Sequence, residues 1–427
     1  MALGIQVTGS DLQSSIVVDQ LRGLGADIQV GPEAGFLPDR TDLVLVSPAI
    51  PKDDPGQLAA RRQGIVEMSY PEALAQLSQS YQSIAVAGTH GKTTTTAMLG
   101  SILEQAGLDP IVVVGSLIPA WSGNFRLGQG KLCVYEADEY NRSFLAYHPD
   151  MAVITNVDRD HLDTYQDIDD ILKAFQTFIQ QATPNGQLVL NDDDEPSKRL
   201  QVPSNLKKTS FSLQRVSGVT PTTDRPGIRF TAPGLGEVRL NVPGRHMVAN
   251  ALAAMTAAQA LGVEPEAIRR GLEAYTGAWR RFEHLGDLHG APVISDYAHH
   301  PTEVLATIRA AREAFPDKRL LVLFQPHQKR RLRQLEDEFS KALADVSYLL
   351  LTEVYEVSGR EDRSGDAISS RHLAGLLRGP GKTILFLPTV QEALDVVAGV
   401  LTPGDVLLCL GAGDIHATLT AFLKEAR

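Results

Sequence analysis

Residues 85–96 read Ala-Val-Ala-Gly-Thr-His-Gly-Lys-Thr-Thr-Thr-Thr, and no other stretch restricts the fold as much. An apolar strand, a glycine loop, a lysine, a threonine and a helical run follow one another there. Glycines let backbone N–H groups come close to phosphate oxygens. The helix that follows adds donors and a favourable dipole at its N-terminus. Lys92 can reach the β and γ phosphates of a nucleotide, and the Thr93 hydroxyl can ligate Mg²⁺. The alternative, an ordinary Gly-rich strand–helix turn, leaves the Lys-Thr pair without a purpose. Only Thr89 and His90 separate Gly88 from Gly91, whereas the general Walker pattern has four residues there. A plain P-loop kinase or motor ATPase is therefore a poor match.

Two acidic segments lie downstream. Glu-Ala-Asp-Glu at 136–139 ends an apolar run at 132–136. Asp-Arg-Asp-His-Leu-Asp-Thr-Tyr at 158–165 follows the next such run, at 152–155. Neighbouring strand ends in a parallel sheet deliver such groups to one edge, where open sheets bind ligands. Glu136 and His161 are then placed to hold a metal beside the loop, and hard carboxylate and water ligands suit Mg²⁺. Taken alone, these segments read equally as solvated acidic loops with a hydrogen-bonded His. Their position after a phosphate loop favours the metal.

Around this centre the chain divides into three blocks. Residues 1–80 read as short α/β units, with buried strands at 5–8 and 43–47, a helix between 12 and 24, and turns at 48–51 and 53–56. Residues 81–281 hold the phosphate loop, a helix at 93–105, strands at 83–87, 111–114, 132–136 and 152–155, and helical spacing from Ile168 to Ile179. A β-rich stretch follows at 188–242, then helices at 246–261 and 265–275. In residues 282–427, strands at 293–296, 320–324, 348–351, 383–387 and 406–410 alternate with helices beginning near Pro301, Lys329, Asp366, Gln391 and Ile415. Such alternation implies a mostly parallel sheet covered on both faces.

Composition narrows the function. At roughly 100–200 residues per domain, 427 residues make two to four domains. With 43% hydrophobic and 21% charged residues, the chain is an ordinary globular one. No apolar run approaches the roughly 20 residues of a membrane span, and the N-terminus lacks a signal-peptide pattern. A net charge of −11 disfavours broad nucleic-acid binding. Cys133 and Cys409, both in strand-like runs, read as reduced core residues, which fits a cytoplasmic location. The sequence carries no signal for oligomeric state.

The motifs Gly-Thr-His-Gly-Lys-Thr-Thr (88–94), Glu-Ala-Asp-Glu (136–139), Thr-Asn-Val-Asp-Arg-Asp-His-Leu-Asp-Thr-Tyr (155–165), Arg-Arg-Phe-Glu (280–283) and Asp-Tyr-Ala-His-His-Pro-Thr-Glu (296–303) together resemble the Mur ligase family. Phe-Gln-Pro-His (324–327) and Gly-Ala-Gly-Asp-Ile (411–415) fit as well, so the resemblance spans nearly the whole chain. Within the family the motifs are most similar to the alanine-adding group. The resemblance implies three α/β domains: a Rossmann-like UDP-sugar domain (1–80), a central P-loop ATPase-like parallel-sheet domain (81–281) and a doubly wound, Rossmann-like C-terminal domain (282–427) that carries the amino acid and closes over the site. It implies an ATP-dependent amide ligase that joins L-alanine to UDP-N-acetylmuramate through an acyl phosphate, without nucleic acid or membrane insertion. It also assigns roles. Gly88, Thr89, His90, Gly91, Lys92, Thr93 and Thr94 would cradle ATP. Thr93 and Glu136 would hold one Mg²⁺, and Glu136 and His161 a second. His299 would stabilise developing charge on the reacting carboxylate, and His300 would be structural. His246 and Asn250 would lie on the adenine side, and Asp296 at the ribose. Arg281, at the junction of the second and third blocks with Glu283, would approach ATP, or else form an interdomain salt bridge. Tyr297 would line the amino-acid pocket, or else pack in the core. His327 and Arg331 would meet the anionic sugar nucleotide.

Three departures stand out. The family opens with a strand and a Gly-rich turn, whereas residues 7–11 of this chain resemble the family's second strand. The expectation is a start site set too far downstream, with about 20 residues of strand and helix preceding it; the alternative is a naturally short protein that binds the sugar nucleotide poorly. Gln328 stands where the alanine-adding group commonly has Arg, and Met247 where it commonly has Asn. Two other readings compete: a recycling ligase that attaches a ready-made tripeptide, and a nucleotide-binding protein without ligase activity. A folylpolyglutamate synthetase-like enzyme shares the fold but matches the later motifs less well.

Overall fold

A computed structural model describes residues 5–31, 37–47, 50–356 and 369–426. They fall into two compact units, one of residues 1–82 with 146–148 and a larger one of 83–145 with 149–427.

The smaller unit holds two strand–helix–strand repeats. Strand Thr8–Asp11 passes through helix Ile16–Gly23 to Asp27–Val30, and Leu43–Val46 passes through helix Pro55–Gln63 to Val66–Ser69. Each repeat pairs its two strands in parallel. The first strand starts at Thr8, three residues later than the sequence pattern suggests. The expected burial is also absent: Leu43 and Leu45 are 43% and 56% exposed. Helices Pro55–Gln63 and Tyr70–Ser78 both meet this two-stranded sheet, yet they leave the Leu43 and Leu45 side chains open. Residues 53–56, expected as a turn, contain a helix start, because the Asp54 carboxylate accepts the N–H groups of Gly56 and Gln57 with Pro55 following. Part of the expected 48–51 turn, Pro48 and Ala49, lies outside the described residues.

The larger unit contains a seven-stranded and a six-stranded sheet. Across the first, the order is Lys207–Phe211, Gln187–Asn191, Met151–Ile154, Gln82–Ala87, Leu132–Glu136, Ile111–Ile118 and Gly123–Arg126. The last strand runs antiparallel at the edge. Strands 151–154, 82–87 and 132–136 are therefore adjacent, and their carboxyl ends deliver Thr155–Asp158, the glycine loop and Glu136 side by side. Helix Lys92–Gln105 is buried almost all round, including Thr93–Gly100, Ile102 and Leu103. Four consecutive threonines are poor helix formers, so tertiary burial overrides propensity here. A three-stranded meander, Ser217–Pro221, Ile228–Ala232 and Gly236–Leu240, adds alternate buried residues Ile228, Phe230 and Ala232 to the same core.

The six-stranded sheet runs Glu283–Leu288, Ala291–Asp296, Asp405–Leu410, Arg319–Phe324, Tyr348–Leu351, Thr383–Phe386. Its first two strands form a hairpin that sequence alternation alone did not reveal. The turn is carried by His289 and Gly290, both at positive φ. The remaining pairs are parallel, as expected. Helices start at Pro301, Lys329 and Ile415 as read from sequence, and at Val390 rather than Gln391. The expected start near Asp366 lies outside the described residues; the described helix there is Ser370–Leu377. Cys133 and Cys409 are buried and unpaired to each other. Among the described residues no helix is long and apolar enough to cross a membrane.

Helix Pro265–Ala274 packs on helix Lys92–Gln105 at Gly271, where a Cβ would collide with the backbone of Ile102. Gly271→Ala should lower stability by about 1–3 kcal/mol despite the better helix propensity of alanine. Urea unfolding checks this, and an unchanged or raised midpoint would mean that the helices part without cost.

Candidate functional site

The glycine loop is shaped by what lies against it. Gly88 and Gly91 sit at φ 139° and 80°. A Cβ on Gly88 would strike the Thr155 hydroxyl, and one on Gly91 the Asn250 amide. The strand end 155–158 grips the loop from the side. His90 N–H donates to Asn156 Oδ1 at 2.9 Å, and Asn156 Nδ2 donates back to His90 O at 2.9 Å. The Thr155 hydroxyl donates to the same carbonyl at 2.7 Å, and Asp158 N–H donates to the Thr89 hydroxyl at 2.9 Å.

Lys92 begins the helix with its ammonium folded over the loop. It donates to Gly88 O at 2.7 Å and to Glu139 Oε2 at 2.7 Å, with Asp138 at 3.6 Å. Burial works against its charge, but Glu139 and Asp138 more than compensate and hold the pKa above the ordinary lysine value. Thr93 donates to Glu136 Oε1 at 2.6 Å, and Glu136 Oε2 accepts the N–H of Gly115. His161 Nε2 lies 3.6 Å from Glu139 Oε1. Thus Thr93 meets Glu136, while the carboxylates facing His161 are Glu139 and Asp138. Burial raises the pKa of both Glu136 and Glu139.

These residues fit a hard divalent cation. Asp138, Glu139 and His161 offer ligand atoms within 4.8 Å of one another. Glu139 Oε1 is buried with no hydrogen-bond partner. Carboxylate and hydroxyl oxygens are the donors Mg²⁺ prefers.

Beside the loop lies a cavity of about 400 Å³. One wall comes from His90, Gly91, Thr93, Thr94, Asn191, Phe211, His246, Met247 and Asn250, the other from Arg281, Asp296, Thr302, Glu303 and Thr307. Eight of the residues expected to hold nucleotide thus share one cavity between the two sheets. Asp296 is tied down, since its carboxylate accepts the N–H groups of Phe282 and Ala298 at 2.7 and 2.8 Å. Burial lifts its pKa to about 6. His246 is held neutral by burial, its pKa pushed down to about 4 with help from Arg281. Arg281 faces Glu303 at 3.9 Å, so its acidic neighbour is Glu303. Glu283 instead accepts the N–H of Arg280 at 2.9 Å.

A second group stands apart from that cavity. The rings of Tyr297, His299, His327 and Tyr355 follow one another at centroid spacings of 5.1, 5.6 and 5.8 Å. Tyr297 lies under the guanidinium groups of Arg280 and Arg281, so it is neither a plain core residue nor a free one. Arg331 contacts His327 Nδ1 at 3.2 Å and donates to Asp160 Oδ1 at 3.0 and 2.8 Å. Its charge, expected to await an anionic substrate, is buried and balanced by Asp160 in this structure. Gln328 takes φ 65° and donates its N–H to Tyr355 O at 2.8 Å.

His299 also differs from expectation. Its Nδ1 lies 3.0 Å from Tyr297 O, a group that only accepts, so the proton sits on Nδ1 and Nε2 is an acceptor. Burial and Arg331 push its pKa down to about 3. A neutral ring with an acceptor at Nε2 suits an N–H donor better than developing negative charge. His300 is structural, as expected: Nδ1 caps helix Pro301–Ala314 by accepting Thr302 N–H, and Nε2 donates to Arg159 O at 2.9 Å.

Four carboxylates that residue-by-residue reading assigned no role prove central: Glu139, Asp158, Asp160 and Glu303. All lie inside the motifs quoted above, but their partners are 47 to 213 residues away.

A mostly parallel sheet whose carboxyl edge carries a glycine cradle, a lysine and acidic groups, with a cavity beside the cradle, defines an α/β protein of the nucleoside-polyphosphate-binding class. The chain belongs to the Mur ligase family. Its models match as "Mur ligase family, catalytic domain" over residues 1–82, "Mur ligase middle domain" over 86–258 and "Mur ligase, glutamate ligase domain" over 280–413. The chain is 40% identical to the UDP-N-acetylmuramate–L-alanine ligase of Nitratidesulfovibrio vulgaris, over 97% of this chain and 92% of that one. It superposes on the crystal structure of the UDP-N-acetylmuramate–alanine ligase of Thermotoga maritima with TM-score 0.81 and 28% identity, covering 98% and 93% of the two chains. A murein peptide ligase of Psychrobacter arcticus shares the fold at TM-score 0.70 and 24% identity, covering 100% and 94%.

His90 supplies a pH prediction. Burial opposes its charge, but Asp158 and Glu303 hold its pKa up to about 10. A raised folded-state pKa gives stability that is fully present below the unfolded value of about 6.5 and lost as pH rises through about 10. The gap in unfolding free energy between the native protein and His90→Asn should therefore shrink from about pH 6 to about pH 10. Urea titrations at both ends measure it, and a constant gap would exclude the charged ring.

Proposed function

We propose that this protein is an ATP-dependent ligase that joins L-alanine to the carboxylate of UDP-N-acetylmuramate in peptidoglycan precursor synthesis. The observation that carries the reading is the glycine cradle with Lys92 at its tip, opening on a cavity closed by Arg281, Asp296 and Glu303. The near full-length likeness to alanine-adding ligases supports the choice of substrates. A cytoplasmic location, where nucleotide-linked precursors and ATP are available, goes with this reading. Residues 1–80 would take the UDP-sugar, 81–281 ATP and 282–427 the amino acid.

The chemistry explains the residue types. A carboxylate is a poor electrophile. One of its oxygens attacks the γ-phosphorus of ATP, the bond to ADP breaks, and an acyl phosphate results. The alanine nitrogen then attacks the carbonyl carbon, and the tetrahedral intermediate expels phosphate as the amine loses a proton. The first step brings a carboxylate against a polyphosphate, and like charges repel. Lys92, released from Glu139, meets the transferring phosphoryl group. Thr93, Glu136 and His161, joined by Asp138 and Glu139, would hold Mg²⁺, which when bound supplies positive charge against that repulsion. Asn250 and His246 would line the adenine side, and Asp296 the ribose. His299, with its Nε2 lone pair, would receive an N–H of the attacking amine. Tyr297 and His327 would flank the amino acid, and Arg331 would reach the sugar nucleotide by exchanging Asp160 for it.

Phosphate release from ATP should require UDP-N-acetylmuramate and L-alanine together. A coupled phosphate assay reads this directly; release with the tripeptide but not with alanine would select the recycling reading, and ATP binding without turnover the non-enzyme. In the same assay Lys92→Ala should lower kcat by about a hundredfold to a thousandfold, the scale of removing one preorganised contact to developing charge. The far-UV spectrum should stay native, though loss of the Glu139 partner should lower Tm. Near-normal turnover would remove Lys92 from the mechanism.

A further inference from the structure

The ring of His90 is fixed at both ends. Its backbone is held to Asn156 by the reciprocal pair of hydrogen bonds, and the ring itself is held by two carboxylates. Nε2 lies 3.1 Å from Asp158 Oδ2 and Nδ1 lies 3.2 Å from Glu303 Oε1. Asp158 lies in the loop after strand Met151–Ile154 of the seven-stranded sheet, and Glu303 in the first turn of helix Pro301–Ala314, which packs against the six-stranded sheet. Glu303 uses its two oxygens on opposite sides. Oε1 faces His90. Oε2 accepts the N–H groups of His299 at 3.2 Å and His300 at 3.4 Å, and stands 3.4 Å from His299 Nδ1. A single carboxylate therefore touches both the phosphate loop and the ring beside the second group of residues. The His90 and Glu303 side chains are each 14% exposed, where an ion pair is little screened by water. The Thr302 hydroxyl donates to Asp158 Oδ2 at 2.7 Å and strengthens the same junction.

We propose that the His90–Glu303 pair is a positioning device: through Glu303, the phosphate loop sets the position of His299, so that the carboxylate-activating and amine-accepting halves of the site assemble together. The proposal rests on the ligase reading. Neither residue needs to touch alanine for this. His90 keeps Glu303 ionised and in place, and Glu303 holds the His299 backbone N–H, while Tyr297 O keeps the ring proton on Nδ1. The device is directional in its chemistry, because a neutral amide at position 303 would offer His299 a weaker acceptor and leave His90 with Asp158 alone.

The test is a double-mutant cycle in the full chain with His90→Asn, Glu303→Gln and the double variant. Each single variant should lower kcat about tenfold, by more than it raises KM for ATP, with the double close to the worse single. Losses that multiply in the double variant, or losses confined to KM for ATP, would overturn the proposal. If Glu303→Gln does not fold, Glu303→Asp keeps the charge but shortens the reach by one methylene. It should show the same kcat loss, and native kcat there would overturn the proposal. The cycle is repeated on urea unfolding, which needs no turnover. Additive unfolding free energies would refute the pair, whereas a native protein inert toward alanine would refute the ligase reading and leave the unfolding cycle to judge the pair.

Discussion

Carboxylates crowded together repel one another, and a cation among them offsets that repulsion. Glu136, Asp138 and Glu139 crowd the carboxyl edge of the seven-stranded sheet, and Lys92 is the positive charge that all three feel. Removing charge from water is costly, and an opposing charge at hydrogen-bond distance offsets that cost only when geometry is good. Here it is good: Lys92 also satisfies Gly88 O, and Thr93 satisfies Glu136. The edge is therefore an electrostatically prepared place, with lysine held by protein anions that a polyphosphate can replace. The same logic accounts for the glycines, since any side chain at 88 or 91 would displace the residues that shape the cradle.

The cavity depends on a second set of charges that link the two sheets of the larger unit. His90 reaches Glu303, Arg331 reaches Asp160, and His300 reaches the carbonyl of Arg159. Each link runs from the strand-end loops of one sheet to helix starts at the edge of the other. These are polar contacts between well-packed bodies, which can be exchanged for substrate contacts without dissolving a hydrophobic core. Such interfaces make relative movement the ordinary expectation. The junction itself is firmer: Trp279 N–H donates to Leu117 O, and the Arg280 guanidinium binds the carbonyls of Gly411 and Gly413.

Much of the site was legible before any coordinates. The strand–loop–helix order around Lys92 and Thr93, the acidic ends at Glu136 and His161, and the helix start at Pro301 all follow from local chemistry. Legibility failed where a role depends on a distant partner. Arg331 looked like an unpaired cation because Asp160 is 171 residues away. His299 is a different case: Tyr297 O, only two residues away, claims its proton, but a sequence does not show which way that carbonyl turns. The strands of residues 1–80 looked buried because apolar runs usually are, and a run of residues does not say how many neighbours its sheet will have.

The sequence by itself determined where a glycine loop, its lysine and threonine and the acidic strand ends stand, because loop conformation, helix dipole and donor type are set within a few residues of one another. It also determined the parallel architecture, through the alternation of strand and helix patterns. Only the tertiary structure decided which carboxylate faces which cation, which nitrogen of His299 holds the proton and that a single cavity is shared by two sheets. The physical reason is range: propensity and periodicity act over a turn or a strand, whereas ion pairing and desolvation depend on groups brought together from far along the chain.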